Sequence, residues 1–522
     1  MLAWTASAAR IGIMTDTHVG FEKGSSVRLE RCFRLFRRQK VDMILHLGDI
    51  AEYHSPDFYR DYAAIRAKVY PEGCPPEKFV FSTHDRLGYV QKAKDPSWAD
   101  AYADVRRMLG IAHDRFHSFE LEGCTFLVYP QARPHDRVRE EIAAACAAHP
   151  GRPLFVLDHV PPADTVSGSE TGGKAVLHGI FRKHPEVIAL SGHVHGSLAH
   201  EGKIWQGAYT AVNFGAQKGD AAPGAPWMAA VMDLSPEKAV IHRYDTKTGR
   251  EWRGEDPWTL TFPFDPKTAP YRPDVRAART PVPSFASDAE LRLTRLGEPL
   301  EAVEVSFPAA ATPDVCAYQV SVLARRGTNW VVRSGHRFNA DFATEPGKRR
   351  KAFTEKFASA HFDSGEAVRI SVAPCDFYGR VGKAVEKELA VGTVESWQVA
   401  CDAVPRPAKK GEWFRFKGEA TSLQVDAGAF LSLPEKTRCR LVMEAAVDVP
   451  ENRYLRFSGL FDDGTGAPAW TRFYSPRGTS TRRYVVAMTP SKVPRRKLGL
   501  VLELVKKGRI RFDTFRIEYK GL

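Results

Sequence analysis

A chain of 522 residues is long enough for about three or four domains, each with its own hydrophobic core. A hydrophobic content of 43% with 26% charged residues excludes a largely disordered chain, and no apolar run reaches the roughly 18 residues that a membrane-spanning helix needs. Most of the net charge of +13 lies in residues 401–522, where 24 Lys and Arg face 13 Asp and Glu, so the pattern indicates a basic C-terminal module without a specific nucleic-acid motif.

The cysteines and the first residues bear on the compartment of the protein. Eight cysteines are too few for a disulfide scaffold. Cys316 and Cys375 are expected on neighbouring strands, where they would form a disulfide in an exported protein or remain two buried free thiols. Residues 6–9 resemble a small-residue cleavage site without the rest of a signal peptide. We therefore expect an exported protein, periplasmic or extracellular, with a cytoplasmic location as the alternative.

From Arg10 to about Asp245, short apolar runs alternate with amphipathic patterns, which indicates an α/β domain. The predicted strands are Ile11–Met14, Met43–Leu47, Phe79–Phe81, Phe126–Tyr129, Leu154–Leu157 and Val187–Leu190. The predicted helices, which have apolar residues three and four positions apart, are Val27–Arg38, Phe58–Val69, Ala99–Leu109, Val138–Ala147 and Lys174–Lys183.

The rest of the chain lacks this alternation. Residues 263–299 are rich in proline and predict an extended linker. Residues 300–400 contain short strand-like runs separated by turn residues, which predict a small β-sandwich. After a Pro/Lys break at 405–410, residues 412–522 tend to alternate apolar with polar residues, which predicts a second, basic β-sandwich or jelly roll.

Five short motifs rich in His and Asp each follow a predicted strand. They are Asp16-Thr17-His18, Gly48-Asp49 with Glu52, Ser82-Thr83-His84-Asp85, Asp158-His159 and Gly192-His193-Val194-His195. Because the carboxyl ends of the strands of an open α/β sheet border one crevice, we expect these side chains to meet in space. Imidazole and carboxylate groups together suit zinc, manganese or iron better than calcium, so the motifs predict a metal site.

Asp49 is the natural candidate for a carboxylate shared by two ions. Two divalent ions about 3.5–4 Å apart can activate a shared hydroxide and bind the oxygens of a phosphoryl group. The motifs therefore predict hydrolysis of a phosphate ester by a metal-bound hydroxide, and they leave the choice between a monoester and a diester open.

The five motifs resemble those of the calcineurin-like metallophosphoesterase family, D-x-H, G-D-x-x-D/E, G-N-H-D/E, an isolated His and G-H-x-H, in the same order. The resemblance covers residues 10 to about 262. It implies a four-layer α/β/β/α sandwich in residues 1–262, followed here by two all-β sandwich domains. It also implies a dinuclear, metal-dependent phosphoric ester hydrolase, which we expect to be of bacterial type.

The resemblance also implies a role for each motif residue. The ligands of one ion would be Asp16, His18, Asp49 and His195. The ligands of the other ion would be Asp49, His159 and His193. His84 matches the family's histidine that binds no metal and assists departure of the leaving group, and Asp85 would orient it.

One motif departs from the family pattern. Ser82-Thr83 stands where the family has Gly-Asn, so a hydroxyl group replaces the amide oxygen that completes the second metal site. Thr83 is therefore a doubtful ligand, and we expect the second ion to be bound weakly. Arg86 and Tyr89 are possible substrate contacts because they lie close to His84 in the sequence.

The C-terminal modules suggest an alternative function. Residues 300–400 resemble a fibronectin type III domain in strand spacing and in Asp376-Phe377-Tyr378-Gly379, which precedes the last strand. The simplest interpretation of such a domain is a spacer, and the more specific hypothesis is a glycan-binding module. If the altered third motif has lost efficient turnover, the protein would be a catalytically weak or inactive relative of the enzymes that binds an anionic polymer, a glycan or a cell surface.

Overall fold

The computed structural model describes residues 8–21, 23–86, 97–131, 133–217, 227–254, 256–344, 346–402, 404, 408–417, 420–425, 437–448, 455–461, 468–474, 481–488, 498–504 and 507–520. The chain divides into two compact units, residues 1–281 with 341–349, and residues 282–340 with 350–522. Over the described ranges, the helices are too short or too polar to cross a bilayer.

The first unit contains alternating strands and helices. In chain order they are β1 (Ala9–Met14), α1 (Lys23–Arg38), β2 (Met43–His46), α2 (Pro56–Val69), β3 (Glu77–Phe79), α3 (Thr83–Arg86), α4 (Trp98–Leu109), β4 (His117–Leu121), β5 (Cys124–Val128), α5 (His135–Ala148), β6 (Leu154–Leu157), α6 (Ser169–Gly172), α7 (Ala175–Phe181), β7 (Val187–Ser191), β8 (Ile204–Gln206), β9 (Thr210–Asn213), β10 (Met228–Leu234), β11 (Lys238–Asp245), β12 (Glu251–Trp252), β13 (Trp258–Thr261) and α8 (Pro273–Arg279).

The first sheet has the strand order β12-β11-β10-β1-β2-β3, and β13 also pairs with β11. Strands β1, β2 and β3 are parallel, whereas β10 is antiparallel to β1. Helices α1, α2 and α4 pack on this sheet through one hydrophobic core. In α1 the core residues Leu29, Phe33 and Phe36 recur three and four positions apart, which places them on one face of the helix.

The second sheet has the strand order β4-β5-β6-β7-β9-β8. Strands β5, β6, β7 and β9 run parallel, and helices α5 and α7 pack on them through a second core. Strands β6 and β7 are buried along their whole length and are apolar except for Ser191 at the end of β7, as is typical of parallel strands covered on both faces. Their carboxyl ends lead directly into two of the five motifs.

These elements confirm the strands and helices predicted for this region, with ends that differ by a few residues. The segment 263–299 differs from the expected extended linker. Helix α8 begins there at Pro273, because proline suits the first turn of a helix, where its missing N–H is not needed. The Arg276 guanidinium then donates hydrogen bonds to Glu201, at 2.5 Å to the carbonyl oxygen and 2.5 Å to Oε2, so this part of the segment is fixed to the first unit.

The second unit is mostly β-structure. Its strands are β14 (Arg292–Leu296), β15 (Ala302–Pro308), β16 (Val315–Arg326), β17 (Asn329–Asn339), β18 (Ala352–Ala358), β19 (Ala367–Asp376), β20 (Val385–Ala390), β21 (Gln398–Asp402), β22 (Trp413–Lys417), β23 (Ala420–Val425), β24 (Arg438–Asp448), β25 (Leu455–Phe461), β26 (Pro468–Tyr474), β27 (Arg482–Met488), β28 (Leu498–Leu504) and β29 (Lys507–Lys520).

These strands form four sheets within the described part of the unit. Sheets β14-β15-β18 and β17-β16-β19-β20 share one hydrophobic core. The other two sheets are β21-β29-β24-β27, with β22 also paired to β29, and β23-β28-β25-β26. Cys316 and Cys375 lie on the neighbouring strands β16 and β19, next to a β-bulge. Both are buried and neither is part of a disulfide, as in the second of the two expectations, so this pair gives no support for export.

Several basic side chains of the C-terminal region are paired with carboxylates. Arg440 Nε lies 2.7 Å from Glu518 Oε2, and Arg509 Nε lies 2.7 Å from Asp448 Oδ2. Arg483 makes ion pairs with Asp363 and Glu444, and Lys520 pairs with Glu395. Much of the positive charge on the described side chains is therefore compensated locally.

Candidate metal centre

The loops after β1, β2 and β7 hold the motif residues in an uncommon backbone conformation. Asp16, His18, Asp49 and His193 have φ of 50°, 43°, 52° and 68°, in the left-handed region that non-glycine residues rarely adopt. Hydrogen bonds fix the first two loops against each other, from Asp16 N to Gly48 O at 3.0 Å and from His18 N to Asp49 O at 3.1 Å. Such strain persists where the surrounding structure enforces it, and it is enriched at functional sites.

The structure brings together the four side chains expected around one ion. The potential ligand atoms of Asp16, His18, Asp49 and His195 all lie within 4.8 Å of one another. His195 Nε2 is 3.0 Å from Asp16 Oδ1, and His18 Nε2 is 3.5 Å from Asp49 Oδ2. Asp16, His18 and Asp49 are buried, and His195 is half-buried. This group could hold a divalent cation.

The residues expected around a second ion are arranged more loosely. His159 Nδ1 donates a hydrogen bond to Leu47 O at 2.8 Å, which leaves His159 Nε2 3.1 Å from Asp49 Oδ2. The rings of His159 and His193 are edge-on, with centroids 5.2 Å apart. Among the described residues, the potential ligand atoms of Asp49, His159 and His193 do not all lie within 4.8 Å of one another.

The donor set fits a cation. His159 Nε2 and both ring nitrogens of His18 are buried, and each lies within 4 Å of a carboxylate oxygen of Asp49 or Glu52. Burial opposes ionisation of Asp16 and Asp49, yet the surrounding histidines, of which His159 has the largest effect, together lower the pKa of both carboxyls. Burial alone would lower the pKa of His159, but Asp49 and Asp16 raise it to about 10. The two carboxylates of Asp16 and Asp49 thus favour a positive charge beside them. In the absence of a metal ion, a proton on His159 supplies that charge.

Two glycines are required by the close approach of these side chains. A Cβ atom on Gly192 would lie 2.0 Å from Thr15 Oγ1 and 2.4 Å from Asp16 Oδ2. A Cβ atom on Gly48, which has φ of +99°, would lie 2.7 Å from His159 Nδ1. The glycines of these two motifs therefore leave room for the ligand groups.

The third motif contacts Asp49 through a residue that the sequence did not point to. The buried Ser82 hydroxyl accepts a hydrogen bond from Asp49 N at 2.7 Å. It also lies 2.5 Å from Asp49 Oδ1 and 2.7 Å from Asp85 Oδ2, and its one hydrogen is donated to one of these carboxylates at a time. Thr83 N donates to Gln131 Oε1 at 2.7 Å. Ser82, rather than Thr83, is the residue of this motif that is seen to contact Asp49.

His84 is oriented by Glu52 and not by Asp85, in contrast to the expectation. His84 Nδ1 donates to the Glu52 carbonyl oxygen at 2.6 Å, and its ring is edge-on to His18 at 4.8 Å. Glu52 Oε2 also lies 2.7 Å from His18 Nδ1. The Asp85 carboxylate instead accepts hydrogen bonds from the backbone of the Asp49 loop, from Ile50 N at 2.9 Å and Ala51 N at 3.3 Å. Burial and the charge of Asp49 raise the pKa of Asp85 to about 6.

The two possible substrate contacts are only partly described. Arg86 is the last residue of α3 and is half-buried, two residues after His84. Tyr89 lies outside the described residues. The position of Arg86 beside the motif is compatible with the predicted contact, which stays a prediction.

A buried histidine was also missed by the sequence analysis. His46 is fully buried, with Nε2 3.0 Å from Thr17 Oγ1, and His46 Nδ1 accepts a hydrogen bond from Gly48 N at 3.3 Å. Burial lowers the pKa of His46 to about 3, so the ring is neutral. It joins the loop of Asp16 to the loop of Asp49. Its place at the end of an apolar strand, directly before a motif, is the signal that could have identified it.

Two further groups of ligand-type side chains occur in the part of the chain that the structure describes. One is His18 with Glu52 and His84, which is continuous with the centre above. The other consists of three half-buried side chains, Cys146, His184 and Glu186. Glu186 immediately precedes β7, whereas His193 follows it, so the second group lies at the opposite end of that strand.

Comparisons with known proteins match one family to the first part of the chain. The model of the calcineurin-like phosphoesterase family matches residues 9–197. A comparison with curated proteins found no match. Among solved structures, a purple acid phosphatase from yellow lupin (Lupinus luteus) is 15% identical with a TM-score of 0.36, and the match covers 49% of this chain and 54% of that one. A predicted phosphoesterase from Streptococcus pneumoniae is 14% identical with a TM-score of 0.25, covering 49% of this chain and 98% of that one.

Both TM-scores lie below 0.5, so the assignment depends on the family model. That model spans the segments that carry all five motifs, from Asp16 to His195. Residues 9–197 therefore match the calcineurin-like phosphoesterase family, and this segment is less than half of the chain.

Proposed function

We propose that this protein is a metal-dependent phosphoesterase that hydrolyses a phosphate monoester or diester. The observation that carries the proposal is the convergence of Asp16, His18, Asp49 and His195, whose ligand atoms lie within 4.8 Å of one another. The family of the N-terminal domain acts on phosphate esters, which is the substrate class that such a centre serves.

The centre would be dinuclear. Asp16, His18, Asp49 and His195 would hold one ion, while Asp49, His159 and His193 would hold the other, with Thr83 as its doubtful ligand. Manganese, zinc or iron suits this mixture of nitrogen and oxygen donors. When bound, the ions supply Lewis-acid activation of water and neutralise phosphate charge.

His84 is the residue proposed for proton transfer. Its Nδ1 donates to the Glu52 carbonyl oxygen, so Nε2 is the nitrogen left to deliver a proton to the leaving oxygen. His84 is half-buried and its ring lies against His18, which keeps it next to the centre. Glu52 acts as a positioning residue because its carbonyl oxygen contacts His84 and its carboxylate lies beside His18.

The remaining architecture is proposed on the same basis. The two sheets of residues 1–262, with helices α1, α2 and α4 packed on one sheet and α5 and α7 on the other, support a four-layer α/β/β/α arrangement. The three- and four-stranded sheets within residues 300–400 support a fibronectin type III-like domain, and residues 412–522 a C-terminal sandwich. We also propose an exported location, with a cytoplasmic one as the alternative.

The alternative function is a catalytically weak or inactive protein that binds an anionic polymer, a glycan or a cell surface. It draws on the replacement of Gly-Asn by Ser82-Thr83. The comparisons give no support for such a partner, and the ion pairs of Arg440, Arg483 and Arg509 leave less uncompensated charge to attract one.

One experiment separates the two functions. Metal content is measured by elemental analysis, and hydrolysis of chromogenic phosphate monoesters and diesters is followed with added manganese, zinc or magnesium. We expect bound metal and hydrolysis of at least one ester, both reduced in Asp16→Asn and unchanged in His135→Ala, which alters an exposed histidine outside the centre. Metal binding without hydrolysis of either ester would favour the binding protein, and a protein without metal affinity would contradict the proposed centre.

A further inference from the structure

A buried lysine lies beneath the loop that carries two of the motif histidines. Lys203 is 2% exposed, in the short 3₁₀ turn Glu201–Lys203 before β8. Its ammonium donates to Val194 O at 2.6 Å, to Asn213 Oδ1 at 2.9 Å, and to Ser167 O and His195 O at 3.2 Å each. Three N–H donors thus face four oxygens, which uses the full hydrogen-bonding capacity of the group.

The loop that contacts Lys203 has a backbone that needs support. His193 has φ of +68° and Gly196 has φ of +115°, so the segment between them turns sharply at both ends. Asn213 Nδ2 donates to Gly192 O at 2.5 Å, on one side of His193. Lys203 binds the carbonyl oxygens of Val194 and His195 on the other side. Lys203 and Asn213 therefore hold the loop from both directions.

The chemistry of the contact favours a role beyond packing. Lysine is almost never fully buried without a partner, since removing its charge from water is costly. The hydrogen-bond acceptors of Lys203 among the described residues are carbonyl and amide oxygens, and no carboxylate lies within ion-pair distance of it there. An apolar side chain at this position would leave these buried oxygens without their donor. What the ammonium adds is a fixed position for several carbonyl groups at once.

We propose that Lys203 is a positioning residue that fixes the Gly192–Gly196 loop and thereby the placement of His193 and His195 toward the metal. The proposal depends on the proposed function only in that the ligand set holds a cation. The groups it orders connect directly to the centre, because His195 Nε2 lies 3.0 Å from Asp16 Oδ1 and His193 N donates to Asp16 Oδ2 at 3.0 Å. Residues that orient metal ligands from behind typically contribute 10–100-fold to affinity.

The test measures metal affinity of the folded protein. Lys203→Met keeps the length of the side chain and removes the donors, and Lys238→Met alters an exposed lysine on β11 as the matched control. Titration calorimetry of metal-stripped protein with Mn²⁺ and with Zn²⁺ should show ~10–100-fold weaker binding for Lys203→Met and no change for Lys238→Met. Equal affinity of Lys203→Met and the unsubstituted protein would overturn the proposal.

A second variant covers the case in which Lys203→Met does not fold. Lys203→Arg keeps the charge, but a planar guanidinium cannot donate to four oxygens placed around one nitrogen atom. We expect weaker metal binding here too, with circular dichroism and thermal unfolding of the metal-free protein close to normal. Full metal affinity in Lys203→Arg would show that charge alone is needed and would refute positioning.

A double-mutant cycle distinguishes positioning from a general loss of stability. If Lys203 acts through the histidine loop, Lys203→Met should cost less affinity when His195→Ala has already removed one ligand of that loop. Independent, additive losses would contradict the inference. A protein that binds metal but hydrolyses no ester would refute the proposed function alone, whereas a protein without metal affinity would refute both.

Discussion

The buried carboxylate of Glu201 anchors the turn that carries Lys203. Removing the charge of this carboxylate should loosen the turn. Glu201 is 3% exposed and accepts hydrogen bonds from Arg243 at 2.8 Å, Arg276 at 2.5 Å and the Trp258 indole N–H at 3.2 Å. Glu201→Gln would keep the shape and leave the fully buried Arg243 without its counter-charge. Removing one partner of a buried ion pair typically costs about 3–5 kcal/mol.

The pKa of Glu201 gives a second measure of the same interaction. Burial alone would raise this pKa, but Arg243, Arg276 and Arg253 together lower it from 4.5 to about 2. Since a carboxyl with a depressed pKa stabilises the fold only while it is ionised, this contribution is present above about pH 4.5 and is lost as the pH falls through 2. The difference between the two pKa values corresponds to about 3 kcal/mol.

Hydrogen–deuterium exchange read by mass spectrometry is the suitable assay, because two compact units need not unfold as one. At pH 7, Glu201→Gln should lower the protection of peptides covering residues 198–206 and 273–279 on the order of 100-fold. Glu237→Gln, an exposed residue between β10 and β11, is the matched control. The difference in protection between Glu201→Gln and the unsubstituted protein should become smaller as the pH falls from 5 toward 2. Unchanged protection at pH 7 would refute the reasoning.

Three further predictions concern the metal centre. Asp49→Ala should abolish hydrolysis and remove more metal than any other single ligand change, because only Asp49 is proposed to contact both ions; elemental analysis showing two retained ions would contradict this. His84→Ala should lower kcat by ~10²–10⁴-fold with normal metal content, as expected of an acid–base group, and loss of metal would instead identify His84 as a ligand. Thr83→Asn should raise both metal occupancy and turnover with added manganese, and no change in either would show that another group completes the second site.

The strands around the centre could be predicted because they are buried on both faces. Leu154–Leu157 and residues 187–190 are apolar throughout, and such short runs between helical patterns have few alternatives to parallel strands. The meeting of Asp16 with His195 could be predicted as well, although 179 positions separate them. The rule that residues after parallel strands gather at one edge of a sheet accounts for Asp16 with Asp49 and for His159 with His195, which follow strands of the same sheet. The meeting of Asp16 with His195 joins the two sheets, and it was expected from the resemblance of the motifs to the family pattern.

The supporting contacts could not be predicted from residue type. Serine at position 82 reads as a small substitute for glycine, and its contact with Asp49 depends on the path of two loops. Lys203 carries no signal at all, since lysines are nearly always exposed. The orientation of His84 comes from the backbone carbonyl oxygen of Glu52, and every residue has such an oxygen, so the residue type does not predict this contact. Local patterns are predictable from the residues that form them, whereas contacts that distant loops make together are not.

The Pro-rich segment shows a different limit. Its prolines indicated an extended chain, but proline also suits the first turn of a helix, and Pro273 begins α8. The residues after a proline decide between these two conformations. Here the helix is held by Arg276, whose partner Glu201 lies 75 positions earlier in the chain.

The division of the centre between two sheets links metal binding to assembly of the domain. Asp16 and Asp49 follow strands of the first sheet, and His159, His193 and His195 follow strands of the second. Neither sheet alone would offer a complete set of ligands, so the free energy of binding an ion adds to the free energy that docks the sheets together. At a free metal concentration 100 times the dissociation constant, this linkage amounts to about 2.7 kcal/mol. The supply of metal would then influence how stably the domain is folded as well as how fully the centre is occupied.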